Sequence, residues 1–235
     1  MDFRRATHLT ALRTQSFDLL VVGGGITGLG VALDAAARGL SVALVERDDF
    51  SSGTSSKSSK LAHGGLRYLQ QGEVRLVYEA LHERQRMLRN APHLVQVMPF
   101  MIPILTKDGV ISKKIARALG SALWMYDLTG GWRIGRLHRR LRAKAALRHF
   151  PTMDARRLAS AYLYYDAEAD DARLCLTVAR TAADHGAVTV NRCEVVSVSG
   201  STGDHEVRMR DTLTGREFTA RARVDRKSTR LNSSH

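Results

Sequence analysis

Apolar runs set the rhythm of the first fifty residues. Phe17 to Val22 is mostly apolar and ends in three glycines, Ile26 to Arg38 is rich in alanine, and Ser41 to Val45 is apolar again. This order predicts strand, helix, strand. Strands that are apolar throughout are buried on both faces, so they belong to a parallel sheet covered by helices in an α/β fold. Small residues at Gly28, Ala32 and Ala36 let the helix lie close on that sheet. Further along, Val74, Val77, Leu81 and Leu88 recur at helical spacing, which predicts an amphipathic helix over Glu73 to Asn90 that stops before Pro92. Pro99 and Pro103 make Pro99 to Leu105 an edge strand or a loop. Ile111, Ile115, Leu119, Leu123 and Tyr126 mark one side of a second helix, Ile111 to Leu128, with Lys113, Lys114 and Arg117 on the other. Asp170 and Asp171 are placed to cap a third helix, which runs through Leu174, Val178 and Ala182 to a stop at Gly186. Val188 to Val198 and His205 to Val224 alternate as strands, the second stretch folding into a hairpin around Thr214-Gly215.

Gly23, Gly25 and Gly28 follow the first strand and open the first helix with G-x-G-x-x-G spacing. The first glycine permits a tight turn, the second lets backbone approach a pyrophosphate, and the third allows close helix packing. Free N–H groups at the helix start then face the phosphate charge. Glu46 ends the second strand, where dinucleotide folds use a carboxylate to accept hydrogen bonds from ribose hydroxyls. The expected architecture is a Rossmann-type parallel sheet with a helical insertion and a β-hairpin extension. Glu46 would repel a phosphate on that ribose, which favours FAD or NAD(H) over NADP(H); Arg47 is the neighbour that would favour the phosphate. The implied division is an arm at 1–16, a dinucleotide-binding domain at 17–106 and 161–225, a basic helical insertion at 107–160, and a tail at 226–235. The polar tail fits nothing before it and is expected to be non-native.

Composition excludes some classes. The 235 residues are 44% apolar and 25% charged, ordinary usage for a globular chain and not for a disordered or fibrous one. Cys175 and Cys193 are too far apart for a paired metal motif and too few for a disulfide framework, so a reducing compartment and no metal are expected. No run reaches the roughly 18 apolar residues that span a bilayer, and Met1 to Ser16 lacks a signal-peptide core. These features point to the cytoplasm. A net charge of +13 suits an anionic partner: a phosphorylated substrate, an acidic lipid surface or nucleic acid. The charge is concentrated between Lys113 and Arg148, where Asp127 is the only acid, as either a basic patch or a solvated helical face.

The turn alone does not separate flavin from nicotinamide. Gly23 to Phe50, Gly53 to Gln70 (GTSSKSSKLAHGGLRYLQ), Leu76 to Leu94, Trp-Met-Tyr-Asp at Trp124 to Asp127 and Asp-Asp-Ala-Arg-Leu at Asp170 to Leu174 resemble FAD-dependent glycerol-3-phosphate dehydrogenases. The resemblance covers essentially Phe17 to Val224, and His-Gly-Gly-Leu-Arg-Tyr is its most discriminating run. It implies FAD as cofactor, bound by Gly23, Gly25, Ile26, Thr27, Gly28, Glu46, Arg47 and Val195. Thr54, Ser55, Ser58 and Lys60 would supply donors for the pyrophosphate and ribityl chain. Leu61, His63, Gly64 and Gly65 would lie along the isoalloxazine ring, which backbone without a side chain can approach. Arg67 and Tyr68 would contact the phosphate of sn-glycerol 3-phosphate, a guanidinium fork being well matched to phosphate oxygens. His63 is a candidate general base or a histidine packed on the cofactor. His82, His93, His138, His149 and His185 are expected as surface or core residues.

The implied reaction oxidises the C2 alcohol to dihydroxyacetone phosphate, with hydride passing to flavin and electrons onward to membrane quinone. The implied protein is peripheral to the inner face of the cytoplasmic membrane, the basic stretch and the Ile111 to Leu128 helix being candidates for contact; a homodimer is compatible. The sequence departs from the family pattern in length. After a strand like Phe218 to Val224 the family continues into an Asn-Ala-Thr-Gly turn and a substrate domain, so the chain reads as an amino-terminal fragment expected to bind FAD weakly and to lack turnover alone. Two competing readings remain. A related flavin oxidase for amines or hydroxy acids would share the glycine turn, but Arg67-Tyr68 argues against it. A basic nucleic-acid module explains the charge but neither the glycine spacing nor Glu46, and no nucleic-acid motif is present, so nucleic acid is not an expected partner.

Overall fold

The computed structural model describes residues 3–69, 71–105, 113–201 and 203–227. The chain divides into two compact units: one takes the residues up to Ser58 and those from Asp171 onward, the other takes Ser59–Asp170. The first unit opens with α1 (Arg5–Thr14), β1 (Ser16–Val22), α2 (Ile26–Ala37) and β2 (Val42–Val45). The second contains β3 (Leu61–Ala62), α3 (Leu66–Leu69), α4 (Val74–Asn90), β4 (Val95–Leu105), α5 (Lys113–Thr129), β5 (Arg139–Arg142), α6 (Ala143–His149) and β6 (Leu158–Ala169). The first unit then resumes with α7 (Asp171–Asp184), β7 (Val188–Val190), β8 (Cys193–Ser201), β9 (Asp204–Asp211) and β10 (Glu217–Lys227).

The first unit is a six-stranded sheet in the order β7-β2-β1-β10-β9-β8. The strands β7, β2, β1 and β10 run parallel, and β8–β10 form an antiparallel meander. Successive residues of β2 serve opposite faces. Val42 and Leu44 join Leu29, Ala32 and Ala36 of α2 and Ala179 and Ala182 of α7, while Ala43 and Val45 join Leu12 of α1, Val207 and Met209. That two-sided burial is why β2 carries no polar residue. Each fully buried leucine contributes about 1.5–3 kcal/mol by leaving water, and alanines where α2 meets α7 keep the helices close. In the second unit β6 is central: β4 pairs with it from Val95↔Ala169 to Leu105↔Leu158, and β3 and β5 also pair with it. Among the described residues β4 pairs only with β6, an edge position that accommodates Pro99 and Pro103.

The structure revises several expectations. Residues 107–160 are not a separate insertion: β6 extends from within that span to Ala169 and pairs with β4 along its whole length, so the unit runs from Ser59 to Asp170. The arm at 1–16 contains α1, whose Leu12 is fully buried. Val188 to Val198 is two strands, because Arg192 adopts a left-handed backbone (φ 51°) and turns the chain from β2's edge into the meander. β10 continues past the expected break at Asp225, pairing Val21↔Arg226 and Val22↔Lys227. The remainder of the expected tail, 228–235, lies outside the described residues, as do Ile111 and the side chain of Ile115.

Candidate functional site

The carboxyl ends of β1 and β2, the start of α2, the turn through Thr54–Ser56 and the first residues of β8 enclose a cavity of about 770 Å³. In doubly wound sheets this end of the strands is where ligands bind. Its wall includes Gly23, Gly25, Ile26, Thr27, Glu46, Arg47, Thr54, Ser55 and Val195, all expected from the sequence. It also includes Asp48, Ser52, Gly53, Cys193 and Glu194, which were not expected. Those five flank expected positions, and nothing in their own chemistry marks them. Burial pushes the Cys193 thiol up to about 12, so it stays a neutral wall group.

The glycine turn is built by close approach. Gly23 has φ 114°, a conformation side chains disfavour, and its N–H donates to the Val45 carbonyl (2.8 Å). At Gly24 a Cβ would stand 2.8 Å from both the Glu46 Cβ and the Phe50 ring. Glu46 ties the turn to β2: its Oε2 accepts the Gly24 N–H (2.7 Å) and its Oε1 the Asp48 N–H (2.9 Å). Each carboxylate oxygen keeps capacity for a further donor, such as a ribose hydroxyl. α2 has no acidic residue in its first turn, so its positive end is uncompensated, and the Ser55 hydroxyl accepts the Ile26 N–H (2.9 Å) where an anion's oxygen would sit. A glycine cradle, open helix amides and a carboxylate on one cavity match the donor and acceptor set of an adenine dinucleotide.

Other expected residues lie elsewhere. Gly28 is buried on the core face of α2 and does not line the cavity. Ser58 donates to Asp171 (2.7 Å); Arg47, by contrast, is on the cavity wall, where it is exposed and pairs with Asp48 (3.3 Å). Lys60, Leu61, His63, Gly64 and Gly65 belong to the second unit. His63 is exposed, and Tyr68 is 43% exposed with its ring against Gly65. The side chain of Arg67 lies outside the described residues. His138 is a core residue as expected, its ring held by Asp127 (2.7 Å).

A buried polar network in the second unit escaped sequence reasoning. The Gly64 N–H donates to the Tyr126 hydroxyl (3.0 Å), which itself donates to Asp166 Oδ2 (2.7 Å). Arg84 Nη1 donates to Asp166 Oδ1 (2.7 Å) and, more distantly, to the Tyr126 hydroxyl (3.4 Å). Arg84 and Tyr126 are each 1% exposed and Asp166 3%. Burial and then the Asp166 charge hold the Tyr126 phenol far above its ordinary range, so it remains a proton donor.

Comparison with known proteins agrees with this geometry. The chain is 45% identical to the mitochondrial glycerol-3-phosphate dehydrogenase of Mus musculus over 94% of its length, covering 31% of that protein. It is 46% identical to the glycerol-3-phosphate dehydrogenase of Mycobacterium leprae, again over 94% of this chain and 37% of the relative. The chain thus spans about a third of the length of these relatives. The solved structure of the Bacillus halodurans glycerol-3-phosphate dehydrogenase complexed with FAD superposes with a TM-score of 0.69 at 30% identity, over 96% of this chain and 36% of that one. Residues 18–224 match the FAD-dependent oxidoreductase family, nearly the whole described chain, and with its glycine turn, Glu46 and parallel sheet in place the chain belongs to that family.

Proposed function

We propose that this chain holds FAD in the cavity of its first unit and is part of an enzyme that oxidises sn-glycerol 3-phosphate to dihydroxyacetone phosphate. The observation that carries the reading is the convergence, on one cavity, of the glycine turn, the uncompensated start of α2 and Glu46. Gly25 and Thr27 would offer backbone N–H groups to the pyrophosphate, Ile26 would do so in exchange for the Ser55 hydroxyl, and Gly23, its own N–H held by Val45, would shape the turn; Glu46 would hold the ribose, and Thr54 and Ser55 further phosphate or ribityl oxygens. FAD, when bound, supplies a two-electron acceptor for the hydride of the substrate's C2. The chain's own task is to fix that carbon, neutralise the phosphate and move the hydroxyl proton. Arg67 and Tyr68 are assigned to the phosphate and His63 to the proton. Similarity to the dehydrogenases of mouse and Mycobacterium leprae supports this substrate.

The reading has two tests. Flavin fluorescence quenching should report saturable FAD binding by this chain that Glu46→Gln weakens about tenfold, the loss expected for a charge-assisted contact. A protein of the relatives' length carrying this sequence should reduce a dye with sn-glycerol 3-phosphate and not with glycine, sarcosine or lactate. Reduction by an amine or a hydroxy acid instead would overturn the substrate assignment.

Electron transfer to a membrane quinone, a peripheral location on the inner face of the cytoplasmic membrane and a homodimer complete the proposal. Among the described residues no helix is long and apolar enough to cross a membrane, so contact would rest on charge, for which the segment Lys113 to Arg148 is suited. Co-sedimentation with anionic vesicles should fall when Lys113, Lys114 and Arg117 become Glu; equal binding removes the idea.

A further inference from the structure

We infer that Tyr126 is a positioning residue for His63: its hydroxyl anchors the His63–Gly65 run through the Gly64 N–H, and Asp166 and Arg84 hold that hydroxyl in place. The inference rests on the proposed function, in which His63 takes the proton of the substrate's hydroxyl. The anchor itself stands on geometry within one unit. Gly64 is buried, and its single N–H ends on Tyr126 rather than on a strand or helix partner. A Cβ at Gly64 would collide with the Leu81 side chain and come within 2.8 Å of the Tyr126 hydroxyl, so backbone at this point is seated directly against the network.

The network is not what packing alone would favour. Arg84 Nε and Nη2 are buried without a hydrogen-bond partner among the described residues. A buried ion pair with unmatched donors is commonly replaceable by apolar side chains without loss of stability. What it provides instead is direction. With its proton committed to Asp166, the Tyr126 oxygen presents its lone pairs to Gly64 and Arg84, and the carboxylate fixes the phenol's rotation. The Leu81 side chain and the Tyr126 ring close the rest of the pocket around Gly64.

Tyr126→Phe keeps the ring and removes only the oxygen. In a protein of the relatives' length carrying this sequence and loaded with FAD, the exchange rate of the Gly64 amide should rise roughly tenfold, the loss of one buried hydrogen bond. The kcat with sn-glycerol 3-phosphate should fall severalfold with KM little changed. Leu123→Ala, which cuts a buried side chain from the same helix, is the control for destabilisation. It should leave kcat and KM as in the parent. Asp166→Asn, which keeps an acceptor for the hydroxyl, is the second variant should the first not fold, and should show the same changes at smaller size. Unchanged Gly64 exchange in Tyr126→Phe overturns the anchor. Faster exchange with an unaltered kcat, or an equal fall of kcat in Leu123→Ala, overturns the positioning role. A parent protein that binds no FAD would instead defeat the proposed function, and Gly64 exchange would still report on the anchor.

Discussion

Gly64 accepts no side chain. A methyl there meets Leu81 and the Tyr126 hydroxyl, and overpacking of this kind costs about 1–3 kcal/mol or more when the neighbours cannot move. Gly64→Ala should therefore lower the unfolding free energy of the second unit by that amount in a denaturant titration, while Gly53→Ala, in the first unit and with open space around its Cβ position, should leave the first unit's unchanged. Cys193 makes a pH prediction. Burial raises its folded pKa to about 12 from an unfolded value of about 8.5. The stabilisation from keeping it neutral is complete below about pH 8.5 and is lost as pH rises towards about 12. Cys193→Ala should flatten the alkaline fall of the urea midpoint, and maleimide should label the thiol only on unfolding. Residues such as Gly23 and Glu46 were legible because their chemistry is local, a turn and the strand end beside it. Tyr126 was legible only as part of a stretch with a familiar order. Asp166 and Arg84 gave no signal at all, since an arginine on a charged helix reads as solvated until its partner, 82 residues away, is known.

At the scale of elements, α1 latches a corner of the cavity wall. Arg5 donates to the carbonyls of Asn191 (3.0 Å) and Arg192 (3.1 Å) and to Asp211 (2.6 Å), holding the turn from β7 into β8. Burial works to raise the Asp211 carboxyl, but hydrogen bonds from Arg5, Thr214 and the Leu213 N–H outweigh it and hold the carboxyl below its usual range. That contribution is present above about pH 4 and is lost as pH falls through the folded pKa. Arg5→Ala should destabilise the first unit by about 1.5–3 kcal/mol and weaken FAD binding, because Cys193, Glu194 and Val195 follow the released turn. Leu12→Ala, elsewhere on α1, should destabilise it without that loss of affinity, and titration of both variants would decide. The periodicity of α4 was correctly placed, yet its buried face is Val77, Leu81 and Arg84 while Val74 is 41% exposed. Periodicity finds a helix; it does not say which polar side chain an interior will accept. β6 was missed because its run through Tyr164 and Asp166 mixes aromatic and acidic residues, and only pairing on both sides makes such a sequence a central strand.

At the scale of the molecule, the sheet of the first unit is assembled from distant parts of the chain. β1 lies between β2 and β10, with Ser16 opposite Arg221. The α/β class was readable from the first fifty residues, whereas the two-unit division was not, because it depends on which distant strands meet. Sheets closed by such long-range pairing fold slowly. On a ribosome adding about 5–20 residues per second, β1 waits roughly 10–40 s for its second neighbour to be synthesised. Stalled nascent chains ending near residue 200 should be cut by protease within β1 and bound by holdase chaperones, and chains stalled well beyond Lys227 should resist both. Translation speed through the second unit therefore sets how long an open strand edge is on offer to other chains, and slow codons there would raise aggregation without altering a single native contact.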